Sequence, residues 1–298
     1  MSTQAYTPKK PARSLTLDVR GLSCHVRVWG ADDAPPVVML HGSRDCSATF
    51  QFIVDEFRRE FRIIAPDLRG YGRTDWNPQG YWFHDYLADL ECLLDELLPG
   101  AAAPLVGHSL GGQIVSTFAG VRPNRVTRVV ALDAFGLVDE HPEKTPDLIA
   151  RWMDAWRDGP EPSRAYDTIE ELAIRLRQTN GRLTMDKALF LAAESSRRRP
   201  DGRFEWSFDP HHRTPFPIPH RKTEWAANMK RIEAPALWLA SGRVSRIDKE
   251  EPGGIAARAA LLKNVIVEKV DETSHNLHHD KPAEVARIVE DFLARGQT

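Results

Sequence analysis

Cysteine is scarce in this chain. Its three residues, Cys24, Cys46 and Cys92, are odd in number and lack metal-ligand spacing, which argues against a disulfide framework and a cysteine zinc site. Reduced thiols and a cytoplasmic location are expected, with Cys46 read as a small buried residue. Long apolar runs are missing too: none reaches the roughly 20 residues that a bilayer requires. Residues 1–13 are polar and contain proline, without the apolar stretch of a signal peptide. Charge of one sign is absent: 40 Lys and Arg face 42 Asp and Glu, a balance that speaks against nucleic acid as the main partner. No internal repeat or low-complexity tract is present. What remains is an ordinary globular composition, 42% hydrophobic over 298 residues, enough for one large α/β domain or two smaller ones.

The apolar pattern orders that material. Residues 14–20 and 24–29 read as a hairpin turned at Gly21-Leu22-Ser23. Continuous apolar runs at 37–40, 63–65, 105–106, 129–132, 236–240 and 265–267 read as strands buried on both faces. Helical stretches are expected over 48–59, 83–98, 113–120, 254–262 and 282–293, the last opened by Pro282. This alternation implies right-handed crossovers and a mostly parallel sheet. It breaks between Val138 and Ile232, where no convincing strand is found. Helical periodicity there covers 147–156, 168–176, 184–195 and the start of another helix at 224–229. Four of the eight tryptophans (Trp152, Trp156, Trp206, Trp225) fall in this insert, which is read as a helical cap over the carboxyl end of the sheet.

The chemistry centres on Gly107-His108-Ser109-Leu110-Gly111, a G-x-S-x-G pattern between an apolar run and a helical segment. A serine on a tight strand-to-helix turn presents its hydroxyl, and small neighbours let the turn close. Ser109 is therefore the candidate nucleophile, with the Leu110 N–H at the helix start available to an oxyanion. Its base must lie in a loop at the same sheet end. The loop after the last strand holds His275, His278, His279 and Asp280. His275 comes first after the strand and is favoured; the other two histidines read as surface or capping residues. A metal site built from these four lacks the spacing of known helical motifs, so neither metal nor cofactor is expected.

These elements resemble the α/β-hydrolase superfamily over nearly the whole chain. The resemblance rests on His41-Gly42-Ser43 after the third strand, the D-x-R-G-x-G-x-T pattern from Asp67 to Thr74, Gly107 to Gly111, and Ser274-His275 before the Pro282 helix. It implies the α/β-hydrolase fold: a mostly parallel eight-stranded sheet with helices on both faces and a helical cap insert. The core would span 1–137 and 233–298, the cap 138–232. It further implies a Ser–His–acid hydrolase with Ser109 as nucleophile, His275 as base, and an oxyanion hole of the Ser43 and Leu110 N–H groups. Asp67 and Arg69 would be structural.

One departure stands out. The register in which the family carries its acid, three residues after Gly242, holds Ser245, which cannot carry the negative charge that steadies an imidazolium. Asp133, at the end of the sixth strand where some relatives place the acid, is favoured. Asp248 is the alternative, and neither is the third reading. The expected reaction is cleavage of an ester-type bond (ester, thioester or lactone) in a small, largely apolar substrate through an acyl-enzyme. A cofactorless perhydrolase or amidase, or a non-catalytic ligand-binding fold, are the alternatives. His41, His108, Trp152 and Trp156 are the residues expected against substrate. The partner is then a small molecule, with no nucleic acid and no membrane; homo-oligomerisation is left open.

Overall fold

Short apolar runs stopped by glycine or polar turns become the interior strands of one sheet. A computed structural model describes residues 4–295. The strands are β1 (Arg13–Val19), β2 (Leu22–Trp29), β3 (Pro36–Leu40), β4 (Arg62–Pro66), β5 (Ala103–His108), β6 (Val126–Leu132), β7 (Ser196–Arg198), β8 (Phe204–Trp206), β9 (Ala236–Ser241) and β10 (Val265–Val270). The helices are α1 (Gln51–Val54), α2 (Phe83–Leu97), α3 (Leu110–Val121), α4 (Thr145–Asp158), α5 (Ile169–Thr179), α6 (Met185–Glu194), α7 (Lys222–Met229), α8 (Arg246–Glu250), α9 (Gly254–Ala259), α10 (Leu277–Asp280) and α11 (Pro282–Ala294).

Eight strands form the main sheet in the order β1-β2-β4-β3-β5-β6-β9-β10. β1 pairs antiparallel with β2, and β2 antiparallel with β4; the other neighbours are parallel. Alternate residues of one strand enter opposite layers. Val38 and Leu40 pack with Leu90 and Leu94 of α2 and with Ile114 and Phe118 of α3. Val37 and Met39 pack with Ile53 of α1 and with Val285, Val289 and Phe292 of α11. The sheet is thus covered on both faces, as parallel strands require.

The chain leaves β3 in one direction and β5 in the other, so the strand order reverses between them. A crevice opens at the carboxyl ends of such a pair. The loop carrying Ser43 follows β3 and the turn carrying Ser109 follows β5, so both border it. Asp133 follows β6, and His275 lies in the loop after β10.

Two expectations need correction. Residues 48–59 do not form one helix: a 3-10 turn over Ser47–Phe50 runs into the single turn of α1. The reason is competition for backbone donors. The N–H groups of Arg58 and Arg59 both bond to Glu290 Oε1 of α11 instead of helix carbonyls. The insert between Val138 and Ile232 does contain strands, the antiparallel pair β7 and β8. Asp201-Gly202 lies in the connection, with Gly202 at φ 86°, a dipeptide suited to hairpin turns; its three-residue strands are too short to show a period. Among the described residues, no helix is long and apolar enough to cross a membrane.

Candidate active site

Ser109 sits between β5 and α3 with φ 50° and ψ −111°, a conformation costly for a residue with a Cβ. The surroundings enforce it. Ser109 N–H donates to Leu132 O at 3.1 Å, and Ser109 O accepts from Gln113 N–H at 3.1 Å. The turn closes because its flanks lack side chains. A Cβ on Gly107 would lie 2.3 Å from the Gly111 backbone, and one on Gly111 2.0 Å from Leu40 O.

Leu110 begins α3, so no helical carbonyl precedes it to accept its N–H. The next N–H, of Gly111, is taken by His41 O at 3.1 Å. Ser43 is exposed on the facing loop, its hydroxyl 3.3 Å from Tyr71 Oη. Among the described residues, neither the Ser43 nor the Leu110 N–H has a hydrogen-bond acceptor. Two unused donors therefore flank the Ser109 turn.

His275 Nδ1 lies 2.7 Å from Asp133 Oδ2. Its proton belongs on Nδ1, donated to the carboxylate, which leaves the Nε2 lone pair free. Asp133 is itself held at φ 48°. Its N–H donates to Leu239 O at 2.8 Å and its Oδ1 accepts from Ser241 N–H at 2.9 Å. Burial opposes ionisation of Asp133, but the bonds from His275 and Ser241 outweigh it and hold the carboxyl below its ordinary range. Ser109 Oγ and His275 Nε2 share no hydrogen bond among the described residues; catalytic contacts of this kind commonly tighten only around substrate.

Asp248, the alternative acid, is engaged elsewhere. Its Oδ2 accepts from Ser245 Oγ at 2.8 Å and its Oδ1 from Ile255 N–H at 2.9 Å. His41 is corrected as a substrate contact. It is fully buried, its Nδ1 donates to Gly42 O at 2.7 Å, and its Nε2 accepts from Leu68 N–H at 2.9 Å. It clasps the loop after β3 to the loop after β4. His108 is corrected too. It is buried, and its Nε2–H donates to the His275 carbonyl at 2.9 Å. Burial pushes its pKa down to about 3, so it stays neutral. Its work is to tie the His275 loop to the residue next to Ser109.

Asp67 and Arg69 hold the loop after β4. Asp67 accepts from Ser47 N–H at 2.7 Å and Arg73 N–H at 2.9 Å and pairs with His25 at 2.8 Å. Burial opposes its ionisation, yet these partners bring its pKa to about 2. Arg69 pairs with Asp89.

Trp152 and Trp156 of α4 line a shallow cleft with Trp82, His211 and Phe216. Trp156 stacks on His211 with centroids 5.2 Å apart, and Trp82 meets Phe216 edge-on at 5.6 Å. The neighbouring His212 lies between Tyr71 and Tyr81 at 3.8 and 3.7 Å, and Tyr71 reaches Ser43. The cleft thus neighbours, through the adjacent His211 and His212, the Tyr71 ring that reaches Ser43. Phe190, Phe204 and Phe208 instead pack within the protein. Sequence reasoning missed Tyr71, a variable position of the Asp67–Thr74 pattern, and Trp82, which lies outside every motif. It also missed Arg258, whose Nη1 and Nη2 donate to Phe135 O and Leu137 O at 2.7 Å just beyond Asp133.

Comparison with known proteins identifies the fold and the family. A family model described as alpha/beta hydrolase fold matches residues 35–282. A serine hydrolase-like protein of Danio rerio is 26% identical over 96% of this chain and 90% of its own. The 2-(acetamidomethylene)succinate hydrolase of Mesorhizobium japonicum is 30% identical over 61% of this chain and 66% of its own. Among solved structures, the thioesterase domain from the curacin biosynthetic pathway superposes with a TM-score of 0.84 at 21% identity, covering 94% of this chain and 99% of that one.

Proposed function

The chain belongs to the alpha/beta hydrolase fold family, and from that premise we propose that it is a serine hydrolase cleaving an ester-type bond of a small, largely apolar substrate. The observation that carries the reading is the 2.7 Å bond from His275 to Asp133, on a loop that His108 ties to the nucleophile turn. A serine at a strained strand-to-helix turn, an imidazole whose Nε2 is left unengaged by the carboxylate on its other nitrogen, and two unused N–H donors are the parts that acyl transfer needs.

In the proposed reaction, Ser109 Oγ attacks the substrate carbonyl carbon as its proton passes to His275 Nε2. Asp133 steadies the resulting imidazolium and keeps the ring from turning. The carbonyl oxygen takes the negative charge and is met by the Ser43 and Leu110 N–H groups. The imidazolium then protonates the leaving group, giving an acyl-Ser109 ester. Water, deprotonated by His275, attacks that ester and releases the acid and free Ser109. Trp82, Trp152, Trp156 and Phe216 form the apolar surface for the substrate's larger group. The carboxylate on His275 weighs against a non-catalytic reading, whose motive was the serine in the acid's usual register.

The test is labelling with a fluorophosphonate followed by intact mass. A single adduct mapping to Ser109, absent from Ser109→Ala, is expected. A folded wild-type protein that takes no adduct would overturn the reading. A panel of p-nitrophenyl esters of increasing chain length, beside lactones, thioesters and amides, then assigns the substrate class.

A further inference from the structure

The loop after β10 delivers three histidines, and the structure divides them. His275 turns to Asp133. Asp280 turns back on its own loop, accepting from Ser274 N–H at 2.6 Å and from Asn180 Nδ2 at 3.1 Å. His278 and His279 turn inward from α10 and are buried. Their Nε2 atoms converge on one hydroxyl, Thr49 Oγ1, at 3.0 and 2.6 Å. Asp45, on the loop after β3 and only half-buried, stands beside them, and one ligand atom from each of Asp45, His278 and His279 lies within 4.8 Å of the others.

We propose that Asp45, His278 and His279 form a binding site for a divalent transition metal of the zinc class, with the Thr49 hydroxyl or a water as fourth ligand. Two imidazoles and one carboxylate are a donor set that zinc accepts, at about 2.0–2.2 Å per bond. Such bonds place tetrahedral ligands about 3.3 Å apart, so the ligand atoms, now within 4.8 Å of one another, close in by up to about 1.5 Å. The site can give that much. Among the described residues, His278 Nδ1 has no hydrogen-bond partner and the Asp45 carboxylate bonds only to the adjacent Cys46 N–H at 2.9 Å. Partial exposure of Asp45 gives the ion a way in.

Lys187 Nζ donates to the His279 carbonyl at 3.2 Å and opposes a cation nearby. Asp45 therefore supplies the compensating charge and is the residue to test. The ion would staple the His275 loop to the oxyanion loop, segments joined here through Thr49 and packing. It stands apart from the acyl-transfer reading, since its ligands exclude Ser109, His275 and Asp133.

Zinc chloride titrated into the whole Ser109→Ala protein, followed by calorimetry and by thermal unfolding, makes the test independent of turnover. One saturable equivalent and a rise in Tm are expected. Asp45→Asn, which preserves size and the Cys46 contact, should weaken binding at least about tenfold, as should His279→Gln. His84→Gln, an exposed histidine of α2, should leave it unchanged. Absence of saturable binding overturns the proposal. So does zinc that binds Asp45→Asn and His279→Gln as tightly as the parent, because the ion then sits on other histidines.

Discussion

Ser245 and Asp248 cap one another: Ser245 Oγ donates to Asp248 Oδ2 at 2.8 Å, and Asp248 N–H donates back to Ser245 Oγ at 3.0 Å. The serine in the register of the family's acid is thus the N-cap of α8. The nearest downstream carboxylate is occupied in the same turn and with Ile255 N–H. The carboxylate that reaches His275 is instead Asp133, one strand further into the sheet.

The two aspartates should therefore separate cleanly in turnover. Asp133→Asn keeps the size of the side chain but presents the wrong partner to Nδ1–H, and kcat should fall by roughly 10³–10⁴-fold. Asp248→Asn should leave kcat within about twofold and cost at most about 1 kcal/mol through the weakened cap. Both are read from p-nitrophenyl ester turnover and urea unfolding. A larger kcat loss at Asp248 than at Asp133 would sink the assignment.

Gly111→Ala tests the closeness of the nucleophile turn to the oxyanion loop. The added Cβ would meet Leu40 O at 2.0 Å and His41 O at 2.8 Å, both backbone atoms. Relief requires β3 and α3 to part, at about 1–3 kcal/mol. Because Ser43 follows His41 by two residues, the two donors move apart together. Urea unfolding should show the loss, and fluorophosphonate labelling of Ser109 should slow in the protein that remains folded. Unchanged labelling would argue that these loops do not act as one unit.

The fold is legible in the sequence because buried parallel strands leave nothing to interpret: Val37 to Leu40 and Ala236 to Ala240 are apolar at every position. Parallel topology then brings each strand-end loop to one edge, which is why Ser109, Asp133 and His275 can be nominated without coordinates. The limits are equally physical. His41 and His108 look available in the sequence, yet His41 bonds the backbone through both ring nitrogens and His108 is buried with its Nε2 on the His275 carbonyl, partners that only the folded chain supplies. Glu290 stops the helix after α1 from a position 232 residues beyond Arg58, and no local pattern records it. Asp45 meets His278 and His279 for the same reason. The β7–β8 hairpin carries its Asp-Gly turn openly, but strands of three residues show no alternation.

Acid should destabilise the protein through histidines whose burial lowers their pKa, and the half-buried His212 isolates one of them. Between the Tyr71 and Tyr81 rings, burial pushes its pKa from 6.5 down to about 3. In the unfolded chain it takes up a proton near pH 6.5; in the folded chain it does not until far lower. Stability is therefore full above about pH 6.5 and is lost as pH falls from there toward 3, by up to about 1.4 kcal/mol per pH unit for this one group. His108, His278 and His279 add losses of the same sign. Replacing the titrating ring by His212→Phe should flatten the slope of unfolding free energy between pH 6 and 4 by about one proton. A slope identical to the parent's would mean that His212 already titrates freely when folded.

Arg258 tests whether the segment after Asp133 is held from outside the site. The side chain is 1% exposed, pairs with Glu251 and donates to the Phe135 and Leu137 carbonyls. Arg258→Met removes the cation but leaves Glu251 and two carbonyls without it, an arrangement that costs about 3–5 kcal/mol. Lys222 Nζ, 2.7 Å from Glu251, compensates only part of that charge. Adding Glu251→Gln to Arg258→Met should recover a share of the stability by removing the unpaired carboxylate. Turnover distinguishes the two roles of the arginine. If it also positions Asp133, the double variant regains stability while kcat stays low and KM is little changed; if it only braces the fold, kcat recovers along with Tm.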